Sequence, residues 1–169
     1  MTLTLAQLNV LPREEAELEL LTCCGSSAWA RQVAVGRPYA DHESLVAAAD
    51  PVWFALSPDD WLEAFSKHPR IGDRAARSAP DVERRWSEGE QSRAREAAPA
   101  VLTELAMANA EYENRFGHVF LICATGKSAD EILQQARERL HNDPESELRV
   151  AAEEQRRITH LRLRKLLTT

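Results

Sequence analysis

The chain has 169 residues, 44% of them hydrophobic, which suits a single domain spanning residues 1–169 with a full-sized core rather than a small stapled scaffold. A formal net charge of -6 with only 6% aromatic residues argues against a nucleic-acid partner, which needs a basic surface and stacking platforms. The odd count of three cysteines, two of them adjacent (Cys23, Cys24 and Cys123), points to thiols in a cytoplasmic protein, and no stretch approaches a membrane span.

Helical punctuation recurs along the chain while sustained two-residue apolar alternation does not, so the architecture reads as an all-α, single-domain helical bundle. Residues 11–25, LPREEAELELLTCCG, carry acidic residues early and Gly25 after the last turn. Residues 26–36, SSAWARQVAVG, run from serine to Gly36, so both segments have helical ends. DHESLVAAA (41–49) and DPVWFAL (50–56) each open on an aspartate. They predict two short helices capped by Asp41 and Asp50, the second with Pro51 at its first position. In SPDDWLEAF (57–65), Ser57 caps, Pro58 suits the first position, and Asp59 and Asp60 suit the positive end of the dipole. Pro69 is expected to end that helix and to hold His68 extended at its C-terminal mouth.

Residues 74–91 are charged and poor in large aliphatics, the mark of a surface excursion. SEGEQSRAREA (87–97) then opens on a Ser-x-x-Glu capping box, Ser87 with Glu90, and a long helix continues to Gly117. VFLICATG (119–126) is one short apolar segment that reads as buried and extended. SADEILQQARERLHND (128–143) begins with another such box, and the residues after Pro144 predict a long terminal helix.

Three polar residues have both a structural and a functional reading. His68, set before a proline, can cap a helix end through its dipole, or can move a proton from a rigid frame near neutral pH. Arg70 close by opposes its protonation unless a carboxylate also approaches. Glu90 can close its capping box, or can accept a proton or orient a ligand donor, with Gln91 beside it offering a donor and an acceptor. Arg162 interrupts a stripe on the terminal helix formed by Leu148, Ala151, Gln155, Ile158 and Leu166; it either snorkels along its stem or meets an anion in a pocket. His42, His118, His141 and His160 form no metal-ligand pattern, and no phosphate-cradling glycine loop occurs, so neither metal nor nucleotide is expected. Cys123 reads as a small buried hydrophobe.

The motifs HPRIGD, WSEGEQ, NAEYENRFGHVFLICATGKSADEIL, RERLHND and ITHLRL stand here in the order seen in the 2-oxo-4-hydroxy-4-carboxy-5-ureidoimidazoline (OHCU) decarboxylases of urate degradation. LLTCCGSSAWARQV and GRPYADHESLVAAA also resemble that family, so the likeness covers nearly the whole chain. It implies a helical fold, no cofactor, a homodimer, and decarboxylation of a small anionic ureido-imidazoline to (S)-allantoin. By motif, His68 with Pro69 is the catalytic junction; Ser87, Glu90 and Gln91 are the polar wall; Arg162 is the cationic one. Phe120, Leu121, Ile122, Cys123 and Ala124 offer backbone groups to the substrate. The chain carries His118 where many relatives have an aromatic residue. Whether Arg162 grips the carboxylate or the oxo group, and whether His68 acts as acid or base, both stay open on the residues alone. So do two other readings: a non-catalytic helical interaction module, and a lyase or hydrolase of another small anionic ureide.

Overall fold

The computed structural model describes residues 2–71 and 99–168. Within them the chain forms β1 (Leu3–Thr4), α1 (Leu5–Val10), α2 (Arg13–Leu21), α3 (Ser27–Val35), α4 (His42–Phe54), α5 (Pro58–Phe65), α6 (Pro99–Phe116), α7 (Ala129–Arg139), α8 (Pro144–Leu166) and β2 (Leu167–Thr168). The helical reading holds. The one addition is a two-residue parallel ladder pairing Leu3 with Leu167 and Thr4 with Thr168, too short to leave a periodic signal. The chain divides into two compact units, Met1–Ala64 with Gln155–Thr169, and Phe65–Glu154.

In the first unit, α2 packs on α3 and α3 on α4 around Leu20, Trp29, Val33, Leu45 and Trp53. The Trp29 indole N–H donates to the Ala49 carbonyl at 3.3 Å, so the buried ring carries its polar atom to a partner. Caps set the helix starts. Ser26 accepts from the Trp29 N–H, Asp41 from the Ser44 N–H, and Ser57 from the Asp60 N–H.

Two expectations need correction here. The predicted pair of short helices over 41–56 is one helix, α4, with Pro51 inside it. A proline removes one backbone bond, but Leu45, Ala49 and Trp53 bury one face at four-residue spacing, and that burial carries the helix through. Asp50 is therefore no cap; its carboxylate lies 2.6 Å from His160 Nε2 and 3.6 Å from Arg156 on α8. The second correction concerns α5, which stops at Phe65 rather than at the residue before Pro69. The His68 N–H closes a tight turn onto the Phe65 carbonyl at 3.1 Å.

In the second unit, α6 and α7 pack together over Leu105, Ala108, Tyr112, Ile132, Leu133 and Ala136. Gly117 ends α6 with φ of 80°, the left-handed closing residue that its position implied. Phe120 to Ala124 are buried outside any helix or strand, as the apolar run indicated. Ser128 and Glu131 form the expected capping box of α7. The Ser87–Glu90 box lies outside the described residues. His118 takes an aromatic's place among Phe65, Tyr112 and Phe116, with ring centroids at 5.4, 5.5 and 6.3 Å.

Gly36, which closes α3, has φ of -70°, so conformation does not demand glycine there. Space does. A Cβ at position 36 would lie 2.5 Å from the Tyr39 hydroxyl, which is held by donating to the Val33 carbonyl at 2.7 Å. Gly36→Ala should cost about 1–3 kcal/mol of stability, and Tyr39→Phe should relieve much of that cost by removing the obstructing oxygen. A double-mutant cycle in urea tests this; an equal cost in both backgrounds refutes it.

Burial holds the His118 imidazole pKa below its ordinary value, partly opposed by the Val119 carbonyl. The folded state then binds fewer protons than the unfolded one. Stability is complete above about pH 6.5 and falls as the pH drops through the folded-state value. His118→Phe should flatten that acid-side fall when urea midpoints at about pH 8 and about pH 5 are compared. Parallel slopes in the two proteins would exclude His118 as the titrating group.

Candidate active site

His68 lies half-buried on a strap, residues 65–71, fastened on both sides to the end of α6. Upstream, Phe65 is fully buried with its ring against His118. Downstream, Arg70 grips Glu113 with two prongs, Nε to Oε1 at 2.7 Å and Nη2 to Oε2 at 3.0 Å. The Asn109 amide donates to the Ile71 carbonyl at 3.2 Å, and Ile71 packs on the core of this unit. An exposed ion pair of this kind adds at most about 1 kcal/mol, so its value here is geometric. It also matches the Arg70 charge with a carboxylate.

The buried run Phe120 to Ala124 is held from beneath by a charged cluster. Arg139 Nη1 donates to the Leu121 carbonyl at 2.8 Å, and its Nε donates to Glu147 Oε1 at 2.7 Å. The same guanidinium lies over the Phe120 ring, 4.6 Å from its centroid. Glu147 is fully buried and also accepts from the Tyr112 hydroxyl at 2.6 Å and the Asn142 amide at 2.9 Å. Burial and the bond to Glu147 push the Tyr112 phenol well above its usual range, so it remains a donor. Further along the run, Lys127 Nζ donates to the Cys123 carbonyl at 2.9 Å, and the Lys127 N–H to the Ala124 carbonyl at 3.0 Å.

Arg162 lies on α8 in the first unit and is only 6% exposed, so its head does not snorkel out to water. Cys23 and Cys24 are close enough to feel its charge. Burial nevertheless pushes both thiols up to about 12, and they stay protonated at neutral pH. The neighbouring wall is polar: the Thr159 hydroxyl donates to the Gln155 carbonyl at 2.8 Å and accepts from the Gln155 amide at 3.1 Å.

His68, Pro69 and the run Phe120 to Ala124 thus belong to the second unit and Arg162 to the first, while Ser87, Glu90 and Gln91 lie outside the described residues. Among the described residues, no group of three or more His, Cys, Asp or Glu side chains is arranged to hold a metal ion. Sequence reasoning missed Tyr112, Lys127, Arg139 and Glu147. Arg139 had a usable signal: it continues the apolar stripe Ile132, Leu133 and Ala136 of α7 at helical spacing, as Arg162 does on α8. Glu147 had none, since an acidic residue in a first helical turn ordinarily serves the dipole.

The OHCU decarboxylase family model matches residues 9–164. The Arabidopsis thaliana uric acid degradation bifunctional protein TTL is 42% identical over 157 residues, covering 92% of this chain. The chain spans only 48% of that relative's length, about half. The Amia calva 2-oxo-4-hydroxy-4-carboxy-5-ureidoimidazoline decarboxylase is 34% identical over 137 residues, or 78% of this chain and 75% of that protein. A crystal structure of an OHCU decarboxylase in the presence of (S)-allantoin superposes with a TM-score of 0.78 at 38% identity, covering 89% of this chain and 98% of the other. Motif order, helical architecture and a family match across both compact units lead to one assignment: the chain belongs to the OHCU decarboxylase family.

Proposed function

We propose that this protein is a carboxy-lyase that converts 2-oxo-4-hydroxy-4-carboxy-5-ureidoimidazoline to (S)-allantoin and carbon dioxide during urate degradation. The observation that carries the reading is the likeness, at 38% identity, to an OHCU decarboxylase crystallised with (S)-allantoin. One family model runs through both compact units, which supports treating them as a single functional domain. No helix among the described residues is long and apolar enough to cross a membrane. The family resemblance supports a cytoplasmic homodimer.

The substrate carries a carboxylate and a hydroxyl on one ring carbon, beside a carbon–nitrogen double bond. As the carbon–carbon bond to the carboxylate breaks and carbon dioxide leaves, its electron pair forms a double bond to the adjacent ring carbon, and the carbon–nitrogen π pair moves onto nitrogen, which takes up a proton. The ring is its own electron sink. What remains for side chains is to orient the carboxylate, manage the hydroxyl proton, and return a proton to one face. His68, on its fastened strap, handles the proton at the hydroxyl-bearing carbon. Glu90 orients the ring or sets the imidazole charge, and Gln91 together with Ser87 holds the ureido and oxo groups. Arg162 serves best on the oxo oxygen, where charge grows as the bond breaks; a tight grip on the carboxylate would stabilise the substrate more than the transition state. Pro69 keeps the junction rigid, and the backbone of Phe120 to Ala124 lines the substrate.

His68→Gln should lower turnover by about 10²–10⁴-fold while leaving the thermal midpoint nearly unchanged. The assay supplies freshly made urate-oxidation product with hydroxyisourate hydrolase and follows the optical activity of the allantoin formed. Equal turnover in mutant and wild type under saturating substrate would remove His68 from the chemistry. Racemic allantoin at the uncatalysed rate from the wild type would refute the activity itself.

A further inference from the structure

The cluster beneath the apolar run has a use beyond stability. A buried Arg–Glu pair is a poor stabiliser by itself, because desolvating both charges offsets most of their attraction. The Arg139–Glu147 pair has side chains 7% and 0% exposed, yet Arg139 also places Nη1 on the Leu121 carbonyl. Lys127, four residues beyond Cys123, puts its ammonium on the Cys123 carbonyl and its N–H on that of Ala124. Three of the five carbonyls between Phe120 and Ala124 are thus committed to protein donors, two of them to cationic groups. An anionic ligand beside this run would otherwise meet those oxygens as repulsive acceptors.

We infer that Arg139 and Lys127 are positioning residues for catalysis: they fix the peptide planes of the run Phe120 to Ala124 and turn its carbonyls away from the anionic substrate. The inference rests on the proposed role of that run in binding. Glu147 acts one step further back. Its carboxylate accepts from Arg139, Tyr112 and Asn142 and so sets the direction in which the guanidinium points.

Arg139→Lys keeps a cation beside Glu147 but cannot serve Glu147 and the Leu121 carbonyl with a planar fork. It should raise KM about ten- to a hundredfold with a smaller change in kcat. Tyr112→Phe removes a hydroxyl donor to Glu147 but keeps the ring that packs edge-on against Phe120 and both cationic bonds to the run, so it should lower the thermal midpoint and leave KM unchanged. Lys127→Met gives an independent arm if Arg139→Lys does not fold, and should raise KM about tenfold with little loss of stability. Amide hydrogen exchange over residues 119–124 reads the same idea without substrate: it should quicken in the Lys127 and Arg139 variants and not in Tyr112→Phe. An inactive wild type with that exchange pattern would refute the proposed reaction, and with it the catalytic purpose, while showing that Arg139 and Lys127 do fix the run. Unchanged exchange and unchanged KM in a folded Arg139→Lys or Lys127→Met protein would overturn the positioning role.

Discussion

Glu147, a carboxylate withdrawn from water, organises the second unit. Left alone, a buried charge of this kind would be strongly destabilising. Here three donors from three side chains converge on its two oxygens, namely Arg139 Nε, the Tyr112 hydroxyl and the Asn142 amide, with the guanidinium charge paired to the carboxylate. Those partners come from α6, from the last residue of α7 and from the turn before α8, so one group ties three segments together. The cluster specifies geometry more than it adds stability, since an apolar replacement of equal shape could hold the helices as well. What an apolar replacement could not do is place a donor on the Leu121 carbonyl.

The strap that carries His68 follows the same logic on a smaller scale. Only seven residues run from Phe65 to Ile71, and the fastenings are of three kinds: a buried ring, a two-pronged ion pair and an amide-to-carbonyl bond. Each is modest. Together they leave the short stretch between Phe65 and Arg70 with few conformations, and Pro69 removes more. The histidine thus need not be deeply buried to be well placed.

Much of this was legible in the residues. Helix ends follow from local chemistry, which is why Ser26, Asp41, Ser57 and Ser128 cap where their side chains suggested. Pro51 misled because the rule for proline is local, whereas the burial of Leu45, Ala49 and Trp53 that overrides it is tertiary. The candidate site divides in the same way. His68 and Arg162 stood out because each breaks a local pattern, the one by its proline and the other by its apolar stripe. Arg139 breaks the α7 stripe just as Arg162 breaks that of α8, but its neighbours Arg137 and Glu138 disguise it as part of a solvated charged face. The partners of a buried charge lie far away in sequence. Tyr112 and Glu147 are separated by 35 residues, and no periodicity reports that distance.

The small ladder joining Leu3 to Leu167 and Thr4 to Thr168 has a consequence for the order of assembly. It closes a loop of nearly the entire chain, and two residue pairs return too little free energy to meet that entropy cost unaided. Helices must already be docked before the ends can find one another. The ladder is therefore among the last features to form and the first to fray, so a spectroscopic pair placed at the two ends would report completion of the first unit separately from the growth of its helices.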